Sequence, residues 1–99
     1  MLKLTISVIT GFDEGKKMTF TEFPISIGRL PDNDFQLNDS YVSRRHCTIY
    51  TDGLFFTVSD LKSTNKTILN EKILSTPKSF MDGDKLSIGR NILRLNIYV

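Results

Sequence analysis

Three short polar segments between residues 28 and 65 carry the side chains best suited to chemistry in this chain. They are Gly28-Arg29, Ser43-Arg44-Arg45-His46 and Ser63-Thr64-Asn65. An arginine guanidinium can donate two parallel, charge-assisted hydrogen bonds to a phosphate, and hydroxyls can donate to its remaining oxygens. An amide both donates and accepts, which suits a peptide main chain. The three segments together therefore suit a phosphate group carried on a peptide.

Each segment lies where a strand-like run gives way to a connection. In this order and separated by these runs, the segments resemble the forkhead-associated (FHA) domain, and the resemblance extends from Ile25 to about Ile88. The resemblance implies a module that recognises phosphothreonine-containing protein segments. It further implies an adaptor downstream of serine/threonine kinases, whose partner is the phosphorylated protein, a kinase or a kinase substrate.

The resemblance also implies roles for individual residues. The implied phosphopeptide-binding residues are Arg29, Ser43, Arg44, Thr64 and Asn65. Of these, Arg29 and the two hydroxyls would hold the phosphate, and Asn65 would hold the peptide main chain, with Arg44 as a further contact. Gly28 and His46 are implied to support the site, His46 by ordering the binding loop through hydrogen bonds. No cofactor, no metal and no catalytic residue is implied.

Ordinary structural roles compete with this interpretation. Arg29 could be a surface cation paired with an acidic neighbour, and the candidates are Asp32, Asp34 and Asp39. The Ser63-Thr64-Asn65 triplet could be a plain turn, because all three residue types are common turn formers. Taken alone, Gly28-Arg29 and the Ser63-Thr64-Asn65 triplet each favour the ordinary role. Their joint occurrence favours a binding site.

His46 is the only histidine in the chain, and it adjoins the only cysteine, Cys47. Neighbours on a strand point to opposite faces, and zinc sites normally need three or four ligands, so a metal site is not expected. Cys47 and Ile49 are expected to face the core together. A single cysteine forms no internal disulfide, so packing must stabilise the fold.

Two residues depart from the family pattern. Lys66 follows Asn65 where the family usually has glycine, and Glu71 follows Asn70 where Asn-Gly often forms a tight hairpin turn. If the backbone keeps a positive φ at Lys66, the residue carries strain of about 1 kcal/mol or more; otherwise the loop has shifted.

The elements that must position these segments are strands. Leu2, Leu4, Ile6 and Val8 alternate with polar residues, and residues 93–99 repeat the pattern. Further strand candidates are residues 18–21, 25–27, 35–37, 47–50, 54–58, 67–69 and 85–88. Short strands separated by turn residues predict an antiparallel sandwich, and no stretch sustains a helical period. The resemblance narrows this prediction to an all-β, two-sheet sandwich of about eleven strands with its binding loops at one end.

Length and composition fit one domain that fills residues 1–99. The net charge of +2 and the 24% of charged residues give no strong electrostatic signal for nucleic acid. No apolar run approaches the roughly 20 residues of a membrane helix, and no secretory signal is apparent. We therefore expect an intracellular, cytoplasmic protein that is monomeric and does not insert into membranes.

Three alternatives remain open. The fold could bind an unphosphorylated protein surface in a larger assembly. Ser43 and His46 could form a nucleophile and base, although no Gly-x-Ser-x-Gly elbow is present and no acid is clearly placed to orient the imidazole. The basic loop residues could bind nucleic acid, although acidic residues are scattered among them and the aromatic side chains are expected in the core.

Overall fold

A computed structural model describes residues 1–99 as eleven β-strands without a helix. The strands are β1 (Lys3–Thr10), β2 (Lys17–Phe20), β3 (Ile25–Gly28), β4 (Phe35–Gln36), β5 (Cys47–Thr51), β6 (Phe56–Asp60), β7 (Thr67–Leu69), β8 (Lys72–Ile73), β9 (Lys78–Phe80), β10 (Lys85–Ile88) and β11 (Asn91–Tyr98). The predicted all-β class and strand number are confirmed. No helix long and apolar enough to cross a membrane is present.

The strands form two sheets. One has six strands in the order β2-β1-β11-β10-β7-β8, and the other has five in the order β4-β3-β5-β6-β9. Every pair is antiparallel except β3 with β4, which run parallel. The predicted two-sheet sandwich is therefore confirmed, with one parallel pair at the edge of the five-stranded sheet.

The alternating residues of the terminal strands pack into the core. Leu4 lies opposite Ile97 and Ile6 lies opposite Leu95, so apolar residues of β1 and β11 share one face of the sheet. Leu4, Ile6 and Leu95 belong to a core of 18 buried apolar residues from both sheets, which includes Cys47 and Ile49 as expected, and the partly buried Ile97 packs against this core. Burying one such aliphatic side chain contributes about 1.5–3 kcal/mol, so the core stabilises the sandwich that carries the loops.

The strand prediction is wrong at residues 54 and 55. The backbone N–H groups of Leu54 and Phe55 each donate to the Asp52 carboxylate at 2.8 Å, which closes a turn instead of continuing a strand. Their side chains are 81% and 61% exposed. The short strands β8 and β9 are not among the individually predicted runs.

The expectation that the aromatic side chains lie in the core holds only for some of them. Phe35, Phe56 and Phe80 are buried, and the Phe56 and Phe80 rings stack with centroids 5.7 Å apart. Phe12 and Tyr41, in contrast, are exposed and each contact the Arg90 guanidinium, with ring centroids 4.9 Å and 4.4 Å from its carbon.

Three connections meet at one end of the sandwich: residues 29–34, residues 37–46 and residues 61–66. The Arg29 N–H donates to the Ser43 carbonyl at 3.0 Å, and the Thr64 N–H donates to the Ser43 hydroxyl at 3.0 Å. The three polar segments, distant in sequence, thus lie together on the end of a rigid scaffold, where binding residues commonly occur.

Candidate functional site

Arg29 lies directly after β3, and its side chain is aimed by a single hydrogen bond. Its Nε donates to the carbonyl of Val42 at 3.0 Å, and its two Nη atoms donate to no protein atom. Arg29 forms no ion pair with any of the three acidic neighbours considered from the sequence: Asp32 pairs with Arg45, Asp39 pairs with Arg90, and Asp34 accepts hydrogen bonds from Ser26. The end of the guanidinium therefore remains available to an external anion.

Ser43 and Thr64 place two hydroxyls at the junction of the connections. The Ser43 Oγ accepts the Thr64 N–H at 3.0 Å, so the hydrogen of the Ser43 hydroxyl is still free to donate. The Thr64 side chain is exposed, and its hydroxyl has no partner in the protein. Because Arg29 bonds to the Ser43 carbonyl, the guanidinium-bearing residue and both hydroxyl-bearing residues are linked through one backbone segment.

His46 is fully buried between two of the connections. Its Nδ1 accepts the Ser43 N–H at 3.0 Å, so Nδ1 carries no hydrogen and Nε2 donates to the Lys66 carbonyl at 2.8 Å. Burial lowers the pKa of His46 and favours this neutral form. Both ring nitrogens are occupied by backbone atoms, which leaves His46 no nitrogen to deprotonate the Ser43 hydroxyl.

Gly28 lies where two backbone segments approach closely. A Cβ atom at this position would lie 2.3 Å from the Arg44 carbonyl oxygen and 2.8 Å from the Asn33 Nδ2. That amide is itself part of the support, because it donates to the carbonyls of Leu30 and Arg44, both at 2.9 Å. Any side chain at position 28 would push the Arg44 backbone outward and disturb the neighbouring Ser43.

Arg44 and Arg45 have different environments although they are adjacent. The Arg44 side chain is exposed and has no hydrogen-bond partner, so it is free to reach a ligand. Arg45 instead pairs with Asp32 at 2.6 Å and donates to the Asn33 amide oxygen at 3.1 Å. Of these two arginines, only Arg44 has no partner within the protein.

Asn65 connects its loop to the 37–46 connection. Its Nδ2 donates to the Tyr41 carbonyl at 2.8 Å, which leaves one amide N–H and the amide oxygen without a protein partner. Tyr41 is fixed in turn by Asp39, which accepts its N–H at 3.0 Å. Asn65 thus presents a free donor and a free acceptor from an anchored position.

Asp39 anchors the 37–46 connection to the β10–β11 turn. Its buried carboxylate accepts the Arg90 N–H at 2.6 Å and the Arg90 guanidinium at 2.7 and 2.9 Å. Burial would raise the pKa of Asp39, but the hydrogen bonds from Arg90 and Tyr41 outweigh it and the pKa is lowered. This ion pair holds Val42, whose carbonyl aims Arg29, against the body of the sandwich.

Asp60 supports the loop that carries Thr64 and Asn65. Its carboxylate accepts the hydroxyl and the N–H of Ser63 and, at 2.6 Å, the hydroxyl of Thr67. Burial would raise the pKa of Asp60, but these hydrogen bonds outweigh it and the pKa is lowered. Of the predicted triplet, Ser63 is therefore a buried structural residue, whereas Thr64 and Asn65 face outward.

Lys66 and Glu71, the two residues that depart from the family pattern, both have a left-handed backbone conformation. Lys66 has φ of 66°, and the hairpin turn between β7 and β8 has φ of 47° at Asn70 and 70° at Glu71. Positive φ at both central residues is the requirement of a type I′ turn, which glycine satisfies without strain. Of the two outcomes considered for Lys66, the strained backbone is the one observed.

Four residues support the site although the sequence predicts no such role for them. Asp39, Asp60, Tyr41 and Asn33 fix the binding segments. Asp60 has a detectable signal, because it ends a strand three residues before a serine, a spacing typical of side-chain to backbone capping. Tyr41 has none, because its backbone carbonyl is the atom that contributes.

The sequence of this chain is similar to that of known FHA domains. The FHA domain family model matches residues 25–89. FhaB, an FHA domain-containing protein of Mycobacterium tuberculosis, is 34% identical over 88 residues, which cover 89% of this chain and 57% of that protein. The chain thus spans little more than half the length of this curated relative.

The fold is similar to those of solved FHA structures. One, from a structural and functional analysis of phosphothreonine-dependent FHA domain interactions, has a TM-score of 0.87 and 30% identity and covers 98% of both chains. Mycobacterium tuberculosis EmbR in complex with a low-affinity phosphopeptide has a TM-score of 0.86 and 26% identity, covering 95% of this chain and 24% of that one.

Proposed function

Because this chain belongs to the FHA domain family, we propose that it binds protein segments that contain phosphothreonine. The observation that carries the proposal is the free end of the Arg29 guanidinium, beside two hydroxyls with hydrogens to donate. The proposed binding residues are Arg29, Ser43, Arg44, Thr64 and Asn65, and the proposed supporting residues are Gly28 and His46.

The chemistry of a phosphothreonine matches these donors. The phosphate carries about −1.5 to −2 charges at pH 7 and offers three acceptor oxygens. The Arg29 Nη atoms and the hydroxyls of Ser43 and Thr64 can each donate to one of them. Asp32 and Asp39 are already paired with Arg45 and Arg90, respectively, and the Asp60 carboxylate accepts hydrogen bonds from Ser63 and Thr67, so all three carboxylates are engaged within the protein.

Asn65 and Arg44 would hold the peptide on either side of the phosphate. The free N–H and oxygen of the Asn65 amide match the carbonyl and N–H of an extended main chain. Arg44 would add a donor that no other part of the protein uses. This is recognition of a phosphorylated motif by basic and polar groups, without a chemical reaction.

We infer a role as an adaptor in serine/threonine kinase signalling in the cytoplasm. FHA domains are binding modules, and the partner of this one would be a kinase, a substrate of that kinase or another protein phosphorylated on threonine. The engaged nitrogens of His46 support binding over hydrolysis, because the serine–histidine pair lacks the hydrogen bond that a nucleophile and base require.

The experiment that tests the proposal is fluorescence polarisation against a degenerate phosphothreonine peptide library, with phosphoserine and unphosphorylated libraries as controls. Arg29→Ala is expected to lose about 100-fold or more in affinity, since a charge-assisted bidentate contact is worth up to about 3 kcal/mol. Arg45→Ala is the matched control, because it removes the same charge from a side chain already paired with Asp32. It is expected to change affinity less than about threefold.

The same measurement distinguishes phosphothreonine binding from the alternative function, which is binding of an unphosphorylated protein surface. Equal binding of phosphorylated and unphosphorylated peptides by a folded protein would indicate a phosphate-independent interaction domain. Binding that requires phosphothreonine but is unchanged in Arg29→Ala would contradict the assigned site.

A further inference from the structure

A cavity of about 470 Å³ lies beside the phosphate-binding loop, and none of the proposed phosphopeptide contacts uses it. It opens between the 61–66 connection and the chain between β8 and β9. Its polar lining consists of Ser59, Asp60, Lys62, Lys66, Ser75 and Thr76.

The free groups of the cavity are donors. Lys62 and Lys66 form no ion pair, and the hydroxyls of Ser59, Ser75 and Thr76 have no hydrogen-bond partner in the protein. The one acid, Asp60, has both carboxylate oxygens occupied by hydrogen bonds from Ser63 and Thr67. The cavity therefore carries two positive charges against one negative charge, and this excess of positive charge together with three free hydroxyls favours an anionic ligand.

The backbone holds both lysines in unfavourable conformations. Lys62 has φ of 57° and Lys66 has φ of 66°, where glycine or asparagine would be less strained. The turn geometry therefore does not account for lysine at either position, and both lysines line the same cavity.

The cavity lies within reach of a peptide bound at Thr64. Lys62 and Lys66 are each two residues from Thr64, so their Cα atoms lie at most about 7 Å from its Cα. A ligand residue two to four positions from the phosphothreonine lies about 7–14 Å from it in extended conformation, a range that begins at the distance of the two lysine Cα atoms and that their long side chains extend into. One peptide could therefore occupy both sites.

We propose that this cavity, between Lys62 and Lys66 on one wall and Ser75 and Thr76 on the other, binds a second anionic side chain of the same phosphopeptide. The inference rests on the proposed function, and it narrows the ligand class to peptides with two anionic groups. A second phosphate matches the two ammonium groups and the hydroxyls most fully, and a carboxylate shares the same chemistry with fewer acceptors.

The test measures binding of three peptide series by fluorescence polarisation. The first carries one phosphothreonine among neutral residues, the second adds glutamate at each of positions two to four on either side, and the third adds phosphoserine there. The protein is compared with Lys62→Gln/Lys66→Gln and with the control Lys3→Gln/Lys17→Gln, which removes the same charge from exposed residues of β1 and β2.

The second phosphate is expected to raise affinity roughly tenfold at one preferred position at low salt, and glutamate at that position to raise it less. Lys62→Gln/Lys66→Gln should reduce this gain to about twofold or less, while the single-phosphothreonine peptide loses no more than about threefold. Lys3→Gln/Lys17→Gln should keep the gain. Lys62→Gly/Lys66→Gly, which removes the charges and also relieves the backbone, should lose the gain as well.

This inference would be overturned if the second phosphate gave no gain in affinity or gave the same gain at every peptide position. Loss of the gain in the control Lys3→Gln/Lys17→Gln to the same extent as in Lys62→Gln/Lys66→Gln would also overturn it. The proposed function would still stand in each of those cases, provided that the singly phosphorylated peptide binds and Arg29→Ala abolishes its binding. Failure of the singly phosphorylated peptide to bind would instead contradict the proposed function itself.

Discussion

The backbone N–H of Ser43 donates a 3.0 Å hydrogen bond to Nδ1 of His46. The opposite nitrogen of the same ring donates to the Lys66 carbonyl at 2.8 Å. One buried imidazole therefore fixes the backbone at the proposed phosphate-binding serine and at the end of the loop that carries Thr64 and Asn65. The geometry of the site depends on a side chain that has no free atom to offer a ligand.

Replacing His46 by alanine is expected to destabilise the fold by about 2–4 kcal/mol. The substitution leaves a cavity in place of the buried imidazole and removes two hydrogen bonds, so the partly buried Ser43 N–H and Lys66 carbonyl lose their partner. Urea denaturation followed by circular dichroism measures the loss. The exposed Arg44→Ala is the control and should change stability by no more than about 0.5 kcal/mol. A His46→Ala variant as stable as the parent would contradict the bridging role.

Stability is expected to fall as the pH drops below about 6.5. Burial lowers the pKa of His46, so the unfolded chain, whose imidazole has an ordinary pKa, takes up a proton that the folded protein does not. The loss approaches at most about 1.4 kcal/mol per pH unit and ends below the lowered pKa of the folded state. Urea midpoints between pH 7.5 and pH 5.0 test this.

His46 is the only histidine, which makes the pH effect assignable. The lowered pKa values of Asp39 and Asp60 affect stability only at more acidic pH. The stabilisation that these two carboxylates contribute to the fold is lost as the pH falls below their unfolded-state pKa of about 3.8. His46→Gln should therefore flatten the profile between pH 6.5 and pH 5.0. An unchanged slope in that variant would assign the effect to another group.

Much of the fold could be predicted from the sequence because its longest strands carry a clear period of two. The alternation of β1 and β11 places Ile6 opposite Leu95 in the core as expected, and the FHA resemblance is confirmed by the family match. Strand β8 was not individually predicted because Lys72 and Ile73 are both exposed and two residues cannot display a period. Leu54 and Phe55 were misassigned because apolar residues at a turn resemble the start of a strand.

The candidate site was predictable at its polar segments but not in its support. Arg29, Ser43 and Thr64 belong to short motifs with recognisable order, and the structure brings their segments together. The Asp39–Arg90 ion pair joins residues 51 positions apart, and no local sequence pattern indicates such a contact. Backbone acceptors such as the Val42 carbonyl are invisible to sequence analysis because every residue has one.

Gly28→Ala is expected to weaken both the fold and phosphopeptide binding. The new methyl group would lie 2.3 Å from the Arg44 carbonyl oxygen, so the backbone next to Ser43 must move, at a cost of about 1–3 kcal/mol. Gly53→Ala provides the comparison: it has open space around it but φ of 96°, and it lies between β5 and β6, away from the site. That variant should lose stability by backbone strain and keep its affinity. Equal affinity in both variants would show that Arg44 does not need its present position.

Glu71→Gly is expected to stabilise the protein by about 0.5–1 kcal/mol. Glu71 occupies the second left-handed position of the β7–β8 turn with φ of 70°, where Asn-Gly is the preferred pair. Relief of strain should exceed the extra entropy that glycine gives the unfolded chain. Thermal and urea denaturation measure the gain, and Glu22→Gly, at an exposed position without positive φ, should give no gain. A destabilised Glu71→Gly would mean that the glutamate side chain contributes a contact stronger than the strain.

The substitutions Asn65→Ala and Asn65→Asp are expected to lower phosphopeptide affinity by different amounts. Both remove the hydrogen bond to the Tyr41 carbonyl, so both loosen the loop, and both should lower phosphopeptide affinity by about tenfold or more. Asn65→Asp should lower the affinity more than Asn65→Ala, because a carboxylate cannot donate to a peptide carbonyl and places a negative charge near the phosphate. Affinity should therefore fall in the order parent, Asn65→Ala, Asn65→Asp, and added salt should narrow the gap between the two variants by screening the repulsion. A gap that is absent, or that does not respond to salt, would place the bound phosphate away from Asn65 and argue for a peptide path over the other side of the loop.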